Sequence, residues 1–195
     1  MYLQYFQLLN FYLQVFKQRP ADVNQTIAPE SNVYWGTWGK WEYCGPNTYA
    51  VAFQLKTESE KGGSEDDTSL NSIALYCGEH PGINDLGERF TSSEGPYGDW
   101  GEIMFCHSGF FTGANFRSEP KQGSGDDTAG NNLALRCSNG HEIFTEAPGS
   151  KWGSWLGWKN CPDGTKICGL RTLVAPLDVY WNDDTSLNAV EFACC

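Results

Sequence analysis

Methionine and histidine are scarce in this chain of 195 residues, which holds 2 and 3 of them, and 24 acidic residues outnumber 13 lysines and arginines. The resulting net charge of -11 repels phosphate backbones and anionic lipid, so nucleic acid is excluded as a partner. The same field attracts basic proteins, less strongly as salt rises. No histidine stands at zinc-ligand spacing from a cysteine pair, and no acidic loop has EF-hand spacing, so neither a metal nor another cofactor is expected. His80, His107 and His141 fall in different loops without a nucleophile at catalytic spacing and read as surface residues. No continuous apolar run is long enough to cross a bilayer comfortably.

What is abundant is glycine, with 22, and aromatic residues, with 8 Trp, 9 Tyr and 11 Phe. Many turns and large apolar side chains describe a single domain of short strands, an all-β fold. Eight cysteines, an even number, read as disulfides. Disulfides persist in oxidising compartments, so the protein is expected to be secreted. Asn24-Gln25-Thr26 agrees as an N-glycosylation sequon.

The N-terminal segment is of a different kind. From Tyr2 to Phe16 the apolar residues are interrupted by Gln4, Gln7, Asn10 and Gln14, a helical spacing that lines the polar groups along one stripe. It reads as an atypical leader, or as an amphipathic helix that docks on a partner or a membrane surface; no other membrane contact is expected. Pro20 to Ser31 reads as a linker, leaving residues 32–195 for the domain.

That domain is a threefold repeat, over roughly residues 33–77, 97–137 and 152–195. Asp66-Asp67-Thr68-Ser69-Leu70-Asn71 leads into Ile73-Ala74-Leu75-Tyr76-Cys77, and returns as Asp126-Asp127-Thr128 into Leu133-Ala134-Leu135-Arg136-Cys137 and as Asp183-Asp184-Thr185 into Val190-Glu191-Phe192-Ala193-Cys194. Each copy opens with an aromatic-glycine-x-tryptophan turn before a cysteine: Trp35 to Trp38 before Cys44, Tyr97 to Trp100 before Cys106, Trp152 to Trp155 before Cys161. Between the halves, Leu55-Lys56-Thr57-Glu58 matches Phe116-Arg117-Ser118-Glu119 and, more loosely, Leu170-Arg171-Thr172-Leu173.

Alternation points Ile73, Leu75 and Cys77 one way, with Leu133, Leu135 and Cys137, and Val190, Phe192 and Cys194, as their counterparts. Each unit is then a small antiparallel sheet with one apolar face, and three such faces bury one another as a prism about a pseudo-threefold axis. Stapling each sheet predicts Cys44–Cys77 and Cys106–Cys137, each closing about 30 residues and worth on the order of 3 kcal/mol. In the third unit Cys194 and Cys195 project to opposite faces and reach back separately to Cys161 and Cys168.

With these blocks and the cysteine-rich end, Val33 to Cys195 resembles the vitelline membrane outer layer protein I family of the avian egg coat. The resemblance implies a β-prism of three Greek-key sheets, an extracellular place, and the pairs Cys161–Cys195 and Cys168–Cys194. It further implies a structural role in an egg coat and a lysozyme-like transferase activity on N-acetylglucosamine oligomers. The first thirty residues match nothing in the family, and Phe192 stands where the other blocks carry leucine.

Glycoside chemistry needs two carboxyl groups about 5 to 5.5 Å apart for retention. Glu58 and Glu119, at equivalent places in two units, are the best pair, with surface glutamates as the plainer reading. The repeated Asp-Asp-Thr triplets suit turn formation, because every copy has one. By the same reasoning Trp35, Trp38, Trp152 and Trp155 belong to core or turn packing. Trp41, Trp158 and Trp181 are less regular and are the candidate sugar platforms. An extracellular coat component associating with basic proteins or glycans is the leading expectation; a carbohydrate-binding module and an N-acetylglucosamine-oligomer transferase are the alternatives.

Overall fold

The computed structural model describes residue 23 and residues 25–59, 68–82, 86–121, 130–146, 151–176 and 185–195. The amphipathic segment, Asn24, the repeated aspartate pairs and Trp181 lie outside them. The described residues form strands and turns, with no helix among them.

The described residues begin with three short strands, β1 (Gln25–Ile27), β2 (Thr37–Trp38) and β3 (Glu42–Tyr43). A long hairpin follows, β4 (Tyr49–Thr57) and β5 (Leu70–Gly78), and then short β6 (Arg89–Thr91), β7 (Asp99–Trp100) and β8 (Met104–Phe105). The pattern recurs as long β9 (Phe111–Ser118) and β10 (Gly130–Cys137) with short β11 (Glu142–Ile143), β12 (Ser154–Trp155) and β13 (Lys159–Asn160). It ends on the hairpin β14 (Ile167–Val174) and β15 (Leu187–Cys194).

These strands make three antiparallel sheets whose boundaries are not those of the sequence repeat. The aromatic-glycine-x-tryptophan strands of each copy cross to the hairpin of the copy before: β7 and β8 pair with β4, and β12 and β13 with β9. The first copy has no predecessor, so β2 and β3 pair with β14 at the far end of the chain, and β1 pairs with β15. One sheet, here the closing sheet, therefore joins both ends of the domain, while the other two are contiguous in sequence. Residues 20–31, expected as a linker, include β1, whose Ile27 is buried in the core opposite Phe192.

The inner faces meet in one hydrophobic core. Ile73, Leu75, Leu133, Leu135, Val190 and Phe192 from the closing strands of the hairpins belong to it, together with Phe53, Phe111 and Phe116. Phe53 and Phe111 meet edge to face with ring centroids 5.5 Å apart, bringing two sheets into contact. Full burial of such rings stabilises by about 1.5–3 kcal/mol each.

Crossing the strands also changes what the disulfides do. Cys44 follows β3 and hydrogen-bonds along the closing sheet through its N–H to the Cys168 carbonyl at 2.8 Å, yet its sulfur bonds Cys77 of β5. Cys106 follows β8 and bonds Cys137 of β10; Cys161 follows β13 and bonds Cys194 of β15. Each bond thus joins neighbouring sheets, and the three close a ring; stapling within one sheet is corrected to stapling between sheets. The fourth, Cys168–Cys195, lies within the closing sheet. The expected pairs Cys161–Cys195 and Cys168–Cys194 are therefore exchanged. Cys194 shares the inner face with Val190 and Phe192, where Cys161 is also buried. Cys168 instead lies in the separate cluster of Tyr43 and Ala193, against which Cys195 packs.

Candidate functional site

The three bonds of the ring gather at one end of the prism, and the aromatic turns and the start of each closing strand gather at the other. Gly36, Gly98 and Gly153 of the turns have φ of 103°, 77° and 68°, in the left-handed region that favours glycine. A Cβ on them would also meet backbone at 2.2 Å from the Val174 oxygen, 2.4 Å from the Thr57 carbon and 2.4 Å from the Ser118 carbon. Each turn is therefore pressed against the end of the long strand it pairs with. The aromatic residue before each glycine is left exposed, Trp35 at 39%, Tyr97 at 38% and Trp152 at 38%. Trp35 and Trp152, expected in core or turn packing, are turn residues with exposed rings. The sequence signal for them was the glycine that follows each one. Lys121 lies 4.8 Å from the Trp35 ring centroid and Lys151 lies 4.5 Å from that of Trp152.

Beneath these turns sit Asn71, Asn131 and Asn188, each wholly buried. Asn71 Nδ2 donates to Thr68 Oγ1 at 2.7 Å, and Asn71 Oδ1 accepts from the Tyr97 N–H at 3.3 Å and from Ser186 Oγ at 2.8 Å. Asn188 Nδ2 donates to the Trp35 carbonyl at 3.0 Å. The asparagine thus ties its own strand to an aromatic turn and to another unit, a use of the repeated block that burial requires.

Glu58 is buried and belongs to this scaffold. Its Oε2 accepts from the N–H and hydroxyl of Thr68, at 3.2 and 2.8 Å, which closes the hairpin between β4 and β5. Glu119 follows Ser118 at the equivalent place and is half-exposed. The cross-strand registers set Thr57 opposite Asp99, Ser118 opposite Ser154 and Val174 opposite Thr37. The third copy consequently aligns two residues later than its sequence match: Thr172 takes the place of Leu55 and Phe116, Leu173 that of Lys56 and Arg117, and Ala175 that of the two glutamates.

Trp41 and Trp158 occupy one repeat position, which Ile103 fills in the second copy, and both are half-buried on the outer faces of their sheets. Trp41 stacks on Tyr43 at 5.8 Å between centroids with Arg171 5.1 Å away, and Arg136 lies 4.0 Å over Trp158. Both rings already have partners. His80, His107 and His141 are exposed. Among the described residues no three His, Cys, Asp or Glu side chains gather as metal ligands, and no helix is long and apolar enough to cross a membrane.

A cleft of about 400 Å³ opens beside Ala175, bounded by Thr37, Trp38, Ser93, Glu94, Val174 and Pro176 among others. Neither Glu58 nor Glu119 lines it.

Comparison with known proteins matches residues 25–195 to the family model described as vitelline membrane outer layer protein I. The human vitelline membrane outer layer protein 1 homolog is 38% identical over 166 residues, 83% of this chain and 78% of that protein. The mouse homolog is 38% identical over 167 residues, covering 82% and 79%. In structure the chain is similar to a mannose-binding lectin from champedak, with a TM-score of 0.52 at 10% identity over 90% of this chain and 99% of the lectin. It is similar also to Calystegia sepium agglutinin, with a TM-score of 0.50 at 10% identity over 91% and 99%. At that identity the likeness is one of fold.

Proposed function

Since the chain belongs to the vitelline membrane outer layer protein I family, we propose that it is a secreted structural component of an extracellular coat or matrix, held there by basic proteins or glycans. The observation that carries this reading is the ring of disulfides that joins each sheet to the next, a bonding pattern that persists only in an oxidising compartment. A net charge of -11 adds attraction to basic partners. The test is retention of the disulfide-intact protein on immobilised polylysine and on a basic protein of defined charge. Retention that weakens as salt rises is expected, and no retention at low salt would contradict the basic-partner part of the reading.

Glycan binding is favoured by a separate observation, the exposed Trp35, Tyr97 and Trp152 at one end of the prism. Exposed aromatic rings suit the apolar face of a sugar, and the lysines beside Trp35 and Trp152 offer donors to its hydroxyl groups. Binding of N-acetylglucosamine and mannose oligomers to the protein, lost in the combined Trp35→Ala, Tyr97→Ala, Trp152→Ala variant, is the expected result. A transferase reading draws no support from Glu58, whose carboxylate is engaged by Thr68.

A further inference from the structure

We propose that the cleft beside Ala175 is a binding subsite for a neutral pyranose unit of a glycan; this rests on the glycan-binding reading and gives it one location at the aromatic end, between the Trp35–Trp38 turn and the segment leading to Tyr97.

The cleft exists where the third copy departs from the other two. Over the first sheet the end of β4 is covered by Lys56, whose Nζ donates to the Gly95 carbonyl at 2.9 Å. Over the second sheet Arg117 does the same, its Nε donating to the Gly153 carbonyl at 3.3 Å. In the closing sheet that position is Leu173, which is buried and sends no cation over the strand end. The glutamate that follows in the other sheets is Ala175, and the space beside it is open.

The far wall is the segment between β6 and β7, and it is held rigidly. Thr172 stands where Leu55 and Phe116 fill the core, and it uses its polar groups on this segment. Its hydroxyl donates to the Ser93 carbonyl at 2.8 Å, and its N–H donates to Ser92 Oγ at 3.3 Å. Ser92 Oγ donates to the Lys40 carbonyl at 2.8 Å, and the Gly95 N–H to the Asn71 carbonyl at 2.7 Å. A wall tied to two sheets is organised before any ligand arrives, which lowers the cost of binding.

The lining has the chemistry of a sugar site. Trp38 offers an aromatic ring already anchored by Arg171, 4.6 Å from its centroid. Glu94 is fixed at both oxygens, with Oε1 accepting from the Thr91 hydroxyl at 2.9 Å and Oε2 3.8 Å from Lys56 Nζ. A carboxylate has about four acceptor directions, so lone pairs remain for ligand hydroxyls. Thr37 and Ser93 add hydroxyl groups, and Pro176 adds apolar surface. The volume of about 400 Å³ falls within the range of small-molecule sites, roughly 300–1,000 Å³. An anionic sugar would meet Glu94 and the overall negative field, and a cationic ligand would meet a single carboxylate already paired with Lys56. A neutral sugar is the class that fits.

The experiment titrates the protein with N-acetylglucosamine oligomers and, separately, mannose oligomers, following tryptophan fluorescence and the Trp38 indole resonance. Ala175→Glu places in the cleft the residue that the other two sheets carry there, and Glu94→Gln removes the charged acceptor without changing its size. Glu79→Gln, at the disulfide end, is the control, and thermal unfolding checks that each variant folds. The expected result is a loss of affinity of about tenfold or more in Ala175→Glu and a smaller loss in Glu94→Gln, with the Trp38 shift abolished in the first. Glu79→Gln binds as the parent does. Oligomers that bind the parent and both cleft variants equally would overturn the subsite and leave glycan binding standing. Oligomers that do not bind the parent at all would overturn both.

Discussion

The two ends of the prism are held together by different means. At one end Cys44–Cys77, Cys106–Cys137 and Cys161–Cys194 tie each sheet to the next by a covalent bond. At the other, buried asparagines reach across units to backbone groups of the aromatic turns and to the Ser186 hydroxyl ahead of β15. A disulfide asks for two cysteines at the right separation and little else. A buried hydrogen-bonded end asks for a donor or acceptor at every position, so each departure from the repeat there has a visible consequence. The exchange of Lys56 and Arg117 for Leu173, and of two glutamates for Ala175, accompanies an open cleft rather than a closed corner.

The contrast can be tested from its strongest side first. Replacing Cys161 and Cys194 together by serine opens the ring, and the expected loss is about 2–5 kcal/mol in denaturant unfolding. Replacing Cys168 and Cys195 removes a bond that stays within one sheet; the two should differ by little if only loop entropy matters, since the loops span 33 and 27 residues. A clearly larger loss from opening the ring would show that the bonds between sheets also restrain their packing.

At the hydrogen-bonded end, Asn71→Ala removes the acceptor used by the Tyr97 N–H and the Ser186 hydroxyl. The expected cost is about 1–3 kcal/mol, read by the same unfolding curves. Removing exposed rings there should matter less to stability: Trp35→Ala and Trp152→Ala are expected to stay within about 0.5 kcal/mol of the parent, while their effect is on glycan retention.

The smallest effect concerns Glu30. Its hydrogen bond and attraction to Lys159, 2.8 Å away, hold its carboxyl below the usual range, though the group is fully exposed. A folded value below the unfolded one means the pair helps at neutral pH and ceases to help as pH falls through the folded value. For an exposed pair this is slight. Glu30→Gln is expected to leave the melting temperature unchanged at neutral and at acidic pH, and a large shift confined to neutral pH would contradict that.

The fold was largely legible because the closing strands carry period-two alternation: Ile73 with Leu75, Leu133 with Leu135, and Val190 with Phe192 all face the core as alternation requires. The crossing of the short strands was not legible. A repeat shows the phase of its unit, but β7 and β8 read the same whether they join their own hairpin or the one before. The swapped cysteines are a different case. Cys161 aligns with Cys44 and Cys106, and Cys194 with Cys77 and Cys137, so equivalence within the repeat alone leads to the observed pair. The loose match at Leu170 to Leu173 hid the two-residue offset, and with it the placement of Thr172 and Ala175. The glycine after Trp35 and Trp152 was legible, but its close contact with the neighbouring strand, on which the exposure of the rings also depends, is not revealed by the spacing of residues.

The central claim, a ring of sheets closed through Cys161 and Cys194, is tested most directly by leaving one thiol without its partner. In Cys195→Ser, alkylation of the non-reduced protein followed by peptide mapping should place the label on Cys168, with Cys161 still bonded to Cys194. A label on Cys161 instead would mean that the third pair of sheets is not joined in this way, and would contradict the ring.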